Sequence, residues 1–163
     1  MLRNQTPAPD FSLRDHNGGE RTLSELRGDK TLLLFYYRGE FCPTSRKQLM
    51  DFADNYSRFE PLGAELIAIS VDPPETSREL RDKLKIEFTL LCDSDFKFAE
   101  SYGVYRSDDK DGPQPHGEPA VFVIDTGGNL AYSQVQTGPK GSANPADLAL
   151  VLLYMHDNGG RYQ

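Results

Sequence analysis

The chain has 163 residues and a net charge of −7, from 18 Lys and Arg against 25 Asp and Glu, and its length suits one domain over residues 1–163 with a sizeable core. An acidic chain without a basic patch argues against nucleic-acid binding, and the sequence shows neither an apolar run long enough for a membrane span nor the apolar core of a signal peptide. Two cysteines, Cys42 and Cys92, are too few for a disulfide scaffold, so we expect a soluble cytoplasmic protein with free thiols.

The first part of the chain is predicted to form a small extension ahead of the main sheet. Residues 6–10 contain two prolines and are typical of an extended arm, after which residues 11–13 form a short strand. The turn composition of residues 15–20 predicts that residues 21–23 pair back as a hairpin. A short helical turn over residues 24–27 then ends at Gly28.

The next stretch, TLLLFYYRGEFCPTSRKQ, holds the best candidate for chemistry. Residues 31–37 form a continuous apolar run, which predicts a strand buried on both faces. A helix with apolar residues at helical spacing is predicted over residues 43–59. Cys42 therefore lies where a buried strand ends and a helix begins, and Pro43 suits the first helical position. Unpaired N–H groups and the helix dipole favour a thiolate there, which is the reactive form of cysteine.

The rest of the chain alternates between strands and helices. Further strands are predicted at residues 65–71, 88–91, 120–125 and 130–136, the last two joined by a hairpin turn at 126–129. Further helices are predicted at residues 72–84, 96–102 and 145–156. Residues 106–118 are acidic and broken by Pro and Gly, which predicts an exposed loop, and residues 157–163 are expected to be a loose tail. This alternation predicts an α/β domain with a central mixed sheet covered by helices on both faces.

Five stretches stand in an order that is known from one protein family. They are APDFSL at 8–13, LLLFYYRGEFCP at 32–43, LIAISVD at 66–72, LLCDSDFKFAESYGV at 90–104 and PAVFVID at 119–125. Together they resemble the thioredoxin-fold redoxins, and most of all the alkyl hydroperoxide reductase/thiol-specific antioxidant (AhpC/TSA) family of peroxiredoxins. The resemblance implies a thioredoxin-like fold with a peroxiredoxin-type N-terminal extension.

The active-site motif matches this family only in part. Peroxiredoxins typically carry P-x-x-x-T-x-x-C, whose last residue reduces the peroxide, and the resemblance assigns that role to Cys42. The threonine position then falls on Gly39 and the proline position on Phe35. The run from Cys42 to Ser45 is similar to the C-P-x-C site of thioredoxin-like proteins, with serine in place of the second cysteine. Arg38 and Gly39 resemble the R-G-x-x-C-P form of some redoxins.

Three further residues are candidates for the site. Ser45 is either a hydroxyl donor to the Cys42 thiolate or a serine that satisfies a backbone N–H at the helix start. A guanidinium close to the sulfur would lower the pKa of Cys42, and Arg38 is favoured over Arg46 because a loop arginine can fold over the thiol. The resemblance places Pro119 where thioredoxin-like proteins keep a cis-proline facing the sulfur, so we expect a cis bond before Pro119, close to Cys42.

Two other residues receive the weaker interpretation. Cys92 could resolve an oxidised Cys42, but in a thioredoxin-like sheet its strand is not next to the Cys42 strand, so we expect no disulfide between them. His116 lies just before Pro119 and could approach the site, but a single histidine in a polar loop usually carries no function. The sequence shows no Cys and His spacing typical of zinc sites, and we expect neither a metal nor a cofactor.

The resemblance implies a thiol-dependent antioxidant enzyme. The first hypothesis is a single-cysteine peroxidase in which an external thiol, thioredoxin-like or glutathione-like, restores Cys42 after it reduces a peroxide. The second is a monothiol disulfide oxidoreductase, in which Cys42 attacks a disulfide. The third is a redox-inactive binding domain on the same fold. Dimers are common in the family, so a homodimer is among the expectations, whereas nucleic-acid and membrane partners are not.

Overall fold

A seven-stranded mixed sheet forms the centre of the computed structural model, which describes residues 3–108, 115–139 and 143–162. The strands are β1 (Ser12–Asp15), β2 (Glu20–Thr22), β3 (Thr31–Tyr36), β4 (Ala64–Ser70), β5 (Thr89–Cys92), β6 (Arg106–Ser107), β7 (His116–Gly117), β8 (Ala120–Ile124) and β9 (Leu130–Val135). Across the sheet their order is β2-β1-β5-β4-β3-β8-β9, while β6 and β7 form a separate ribbon. β3, β4 and β5 run parallel, and the other pairs in the sheet are antiparallel.

Helices cover both faces of this sheet, which confirms the predicted α/β class. They are α1 (Leu23–Arg27), α2 (Pro43–Asn55), α3 (Pro74–Leu84), α4 (Lys97–Tyr102) and α5 (Pro145–Asp157). Buried residues of α2, α3 and α5 share one core cluster, and those of α1 and α4 share the other. Within the described ranges, none of the helices combines the length and apolarity needed to cross a membrane.

β3 separates the two core clusters and contributes to both. All six of its residues are buried, with Leu33 and Phe35 in the cluster of α2 and with Leu32, Leu34 and Tyr36 in the cluster of α1 and α4. Full burial of each such side chain contributes about 1.5–3 kcal/mol. The run that the sequence predicts as a doubly buried strand is therefore the centre of the sheet.

α2 ends earlier than the predicted residue 59. The helix stops at Asn55 and continues as two short 3-10 turns, Tyr56–Arg58 and Glu60–Leu62. Pro61 has no N–H to donate and restricts the residue before it, which disfavours a continued α-helix. Gly63 then takes a left-handed conformation and leads into β4.

The prediction of an exposed loop over residues 106–118 is wrong at both ends of that segment. β6 and β7 pair antiparallel, with Ser107 opposite His116, and both His116 and Glu118 are buried. Gly117 allows this approach, because a Cβ atom there would collide with the Tyr36 ring and with Val104. The polar composition of this segment led to the prediction of an exposed loop, because composition gives no information about backbone contacts with distant strands. Residues 109–114 lie outside the described ranges.

The tail that the sequence predicts over residues 157–163 contacts the rest of the chain through Tyr162. The Tyr162 ring meets the rings of Tyr132 and Tyr154 edge-on, with centroids 6.1 and 5.6 Å apart. The Gln5 side chain donates a hydrogen bond to the Tyr162 carbonyl at 2.8 Å. These contacts attach the C-terminal residues to β9, α5 and the N-terminal arm, and Gln163 lies outside the described residues.

Candidate active site

Cys42 is the N-cap residue of α2, at the end of the loop that follows β3. Its backbone is extended, with φ −96° and ψ 116°, and its carbonyl accepts the first helical hydrogen bond from Arg46 at 3.1 Å. The thiol is only 4% exposed. The local sequence explains this position, because Pro43 starts the helix without leaving an unpaired N–H behind it.

Ser45 and Cys42 face each other across the first turn of α2. Ser45 is fully buried, and its hydroxyl accepts a hydrogen bond from the Arg38 backbone N–H at 3.1 Å. The backbone N–H and the hydroxyl of Ser45 both lower the pKa of the Cys42 thiol. Ser45 therefore pairs the N–H of the loop residue Arg38 rather than an N–H of the helix start, and its influence on the Cys42 thiol is to lower the pKa.

Arg38 lies in the same loop and touches three buried groups at once. Its Nη1 donates to the Cys42 Sγ at 3.5 Å, and its Nη2 lies 3.0 Å from Nε2 of His116. Its Nε lies 3.1 Å from Oε2 of Glu118, a charge contact whose N–H is not aligned as a hydrogen bond. Only a planar guanidinium with several donors can hold three such partners.

The antiparallel pairing of β3 with β8 explains why Glu118 meets Arg38. Tyr36, the last residue of β3, stands opposite Ala120, the first residue of β8. When this register is continued two residues past the end of β3 and two residues before the start of β8, Arg38 falls opposite Glu118. β7 brings His116 to the same place, and its ring lies 5.1 Å from that of Phe41. The sequence interpretation favoured no role for His116 and did not consider Glu118. The available signal was their position just before a buried strand that neighbours the Cys42 strand.

Opposing effects set the acidity of Cys42. Burial raises the pKa of the Cys42 thiol, but the N–H and hydroxyl of Ser45 and the charge and hydrogen bond of Arg38 outweigh it, so the pKa lies below the ordinary thiol value. The expected direction is therefore confirmed. Arg46 makes no such contribution, because its Nη1 donates to the Glu40 carbonyl at 2.6 Å.

Gly39 shapes the loop that folds Arg38 over the thiol. Its φ is +147°, and a Cβ atom there would lie 3.1 Å from the Phe41 ring and 3.2 Å from Oδ1 of Asp72. Asp72, whose pKa is raised by burial, accepts a hydrogen bond from the Glu40 N–H at 2.8 Å. The glycine after Arg38 is thus required by both backbone conformation and space.

The expected cis bond before Pro119 is wrong. None of the peptide bonds between described residues is cis. The Glu118 N–H donates to the Tyr105 carbonyl at 2.8 Å, and the Pro119 carbonyl accepts from Gln136 at 2.9 Å, so the backbone on both sides is held in strand-type pairing. The thioredoxin-type assignment of Pro119, which required a cis bond, therefore loses its basis.

Cys92 lies apart from this site. β4 separates β5 from β3, and both cysteines are free, as expected. The Cys92 sulfur lies 3.6 Å from Oγ of Ser77 and 4.0 Å from the Asp15 carbonyl oxygen. The part of the chain that the structure describes contains no cluster of three or more His, Cys, Asp or Glu side chains that could hold a metal ion.

Comparisons with known proteins agree with this architecture. Residues 5–133 match the model of the AhpC/TSA family. The chain is 34% identical over 125 residues to "Peroxiredoxin Q, chloroplastic" of rice, covering 77% of this chain and 55% of that protein. It is 32% identical over 124 residues to "Peroxiredoxin Bcp" of Bacillus subtilis, covering 76% of this chain and 78% of that protein.

A solved structure is similar along almost the whole length. The crystal structure of "Peroxidoxin BcpB" from Mycobacterium tuberculosis superposes with a TM-score of 0.80 and is 26% identical in sequence. The match covers 94% of this chain and 97% of that one. By contrast, the chain spans about half the length of the rice relative, 55%.

Proposed function

Because the chain belongs to the AhpC/TSA family, we propose that it is a thiol peroxidase in which Cys42 reduces peroxides. One observation carries this proposal: Cys42 is buried at the start of α2 with a lowered pKa, and the Arg38 guanidinium lies 3.5 Å from its sulfur. A thiolate at neutral pH is a strong nucleophile, and a fixed guanidinium beside it supplies donors for the oxygens of a bound peroxide.

The proposed reaction is a displacement at oxygen. The Cys42 thiolate attacks the terminal oxygen of the hydroperoxide, an S–O bond forms and the O–O bond breaks. Sulfur is oxidised to a sulfenic acid, while the peroxide is reduced to an alcohol, or to water from hydrogen peroxide. Arg38 is suited to stabilise both the Cys42 thiolate and the negatively charged leaving oxygen. Its Nη1 touches the sulfur, and further N–H groups of the guanidinium can donate to the leaving oxygen.

We propose that an external thiol completes the cycle. The only other cysteine, Cys92, is buried behind β4, so it is poorly placed to reach the oxidised Cys42. A thiol of thioredoxin or glutathione type would condense with the sulfenic acid, releasing water and forming a mixed disulfide. A second thiol would then release Cys42 and leave with the first as a disulfide.

Mass spectrometry of Cys42 after dilute peroxide tests the proposal. With a dimedone-type trap we expect one adduct on Cys42, and without the trap and without thiol we expect higher oxidation states of the same residue. The Cys92→Ser variant should behave in the same way. An unmodified Cys42 would contradict the peroxidase function, and an abundant Cys42–Cys92 peptide would contradict the single-cysteine cycle.

The disulfide oxidoreductase alternative has less support. Its thioredoxin-type assignment used a cis bond before Pro119, and that bond is trans. Moreover, the residue at the second-cysteine position, Ser45, cannot release a mixed disulfide, because it has no thiol. A Cys42 that reacts with a disulfide substrate faster than with peroxide would favour that alternative.

A further inference from the structure

His116 has an unusual pair of neighbours at a single ring nitrogen. Its Nε2 lies 3.0 Å from Nη2 of Arg38, which can only donate, and 3.3 Å from Oε1 of Glu118, which as a carboxylate only accepts. An imidazole nitrogen carries either a lone pair or a proton. With a lone pair at Nε2, His116 accepts a hydrogen bond from Arg38, and with a proton there its positive charge lies at ion-pair distance from the Glu118 carboxylate.

His116 therefore keeps a partner in both protonation states although its side chain is 0% exposed. A buried polar atom without a partner carries the full cost of its desolvation, which is the usual obstacle to proton exchange inside a protein. At Nε2 this obstacle is largely removed. His16 is the contrast within the same chain: burial lowers its pKa, and the Leu90 N–H donates to its Nδ1 at 3.4 Å.

The position of His116 also suits a role in the reaction. One guanidinium connects it to the nucleophile, since Nη1 of Arg38 touches the Cys42 sulfur and Nη2 touches the histidine. A peroxide bound with its terminal oxygen against the sulfur would meet the same guanidinium with its second oxygen. The second oxygen, which needs a proton when the O–O bond breaks, would then lie on the side of Arg38 that contacts Nε2.

We propose that His116 gives the leaving oxygen its proton, an inference that rests on the proposed peroxidase function. The Cys42 thiolate bonds to the terminal oxygen, which keeps its hydrogen and becomes the sulfenic acid. The O–O bond breaks, and the departing alkoxide takes the proton from Nε2 and leaves as the alcohol. Neutral His116 then accepts from Arg38, and the proton released when the regenerated Cys42 thiol ionises restores it. Glu118 orients and stabilises the imidazolium.

A comparison of oxidants separates this role from a structural one. An alkyl hydroperoxide leaves as an alkoxide, which needs a proton, whereas a peracid leaves as a carboxylate, which needs none. We therefore expect His116→Gln to slow single-turnover oxidation of Cys42 by the alkyl hydroperoxide about 10²-fold and to leave oxidation by the peracid within about threefold. His156→Gln, at an exposed position of α5, is the matched control and should change neither rate.

Three results would overturn the inference. A parallel loss with both oxidants would mean that His116 only positions Arg38, and unchanged rates would mean that it has no role. The third result concerns the wild-type protein alone. With a proton donor in place, the rate of Cys42 oxidation should vary little among hydroperoxides whose alcohol products differ in acidity. A steep dependence of that rate on the acidity of the alcohol would contradict the role of His116. Unchanged alkylation of Cys42 in His116→Gln checks that the site is folded. If wild type reduces neither oxidant, the proposed function itself fails.

Discussion

The two cysteines of this chain are buried to the same extent, yet their environments drive their acidity in opposite directions. Cys42 is 4% exposed and Cys92 is 5% exposed, and each sulfur has a serine hydroxyl beside it. The pKa of Cys42 is nevertheless lowered, whereas burial raises that of Cys92. Burial and a neighbouring hydroxyl are therefore insufficient to produce a reactive thiolate.

The difference lies in the number and charge of the donors. Cys42 is the N-cap residue of α2, where the backbone N–H and hydroxyl of Ser45 and the Arg38 guanidinium all lower its pKa. Cys92 ends a strand, and its nearest backbone group is an acceptor, the Asp15 carbonyl oxygen. Its Ser77 hydroxyl and the charge of Arg14 lower the pKa, but they do not offset burial. Reactivity is thus a property of the strand-to-helix junction.

Replacing each cysteine in turn tests this contrast, and we expect the replacement of Cys42 to change the rate of peroxide reduction more than any other substitution. We expect Cys42→Ser to abolish peroxide reduction, by about 10³-fold or more, because a hydroxyl is a far weaker nucleophile than a thiolate. Cys92→Ser should keep activity within about threefold, since it removes only a small buried contact. Peroxide consumption with an external thiol measures both variants. Loss of activity in Cys92→Ser, with the fold intact, would break the contrast.

Neutralising Arg38 should have the next largest effect. In Arg38→Met the Cys42 thiolate loses a charge and a donor, and we expect peroxide reduction at neutral pH to fall about 10²-fold as the pKa of Cys42 rises. Arg38→Lys should recover only part of the rate, because an ammonium cannot reach three partners in the plane of a guanidinium.

Arg46→Met is the matched control for Arg38, since Arg46 lies equally near in sequence but donates to the Glu40 carbonyl. We expect it to retain most of the activity and the titration of Cys42. Loss of a buried ion-pair partner typically costs about 3–5 kcal/mol, so thermal unfolding should be recorded with each rate. Equal losses in Arg38→Met and Arg46→Met would remove the assignment of Arg38.

The pH dependence of alkylation should sharpen the contrast with a smaller effect. Because the pKa of Cys42 is lowered, its labelling should persist below the ordinary thiol value of ~8.5 and disappear only as pH falls through the lowered pKa. Labelling of Cys92 should begin above that value. Ser45→Ala should raise the pH midpoint of Cys42 alkylation and slow that alkylation a few-fold at neutral pH. Ser77→Ala should leave the midpoint of Cys42 unchanged. Coincident midpoints for the two thiols would contradict this assignment.

Local patterns in the sequence were sufficient for the framework of the site. The apolar run over residues 31–37 and the Cys-Pro pair after it specify β3, the start of α2 and the place of Cys42 between them, because burial and helix initiation depend on neighbouring residues. The alternation of elements also predicted the α/β class. The separation of Cys92 from Cys42 followed from the resemblance to thioredoxin-like sheets.

Tertiary structure decided which groups meet Arg38. His116 stands 78 residues away in the chain, and it arrives with Glu118 only because β8 pairs antiparallel with β3 and β7 leads into it. Register is set by the packing of whole strands, so composition predicted an exposed loop for the same segment. The trans bond at Pro119 and the docking of Tyr162 have the same cause. Each depends on partners that are distant in sequence and become neighbours only when the sheet forms.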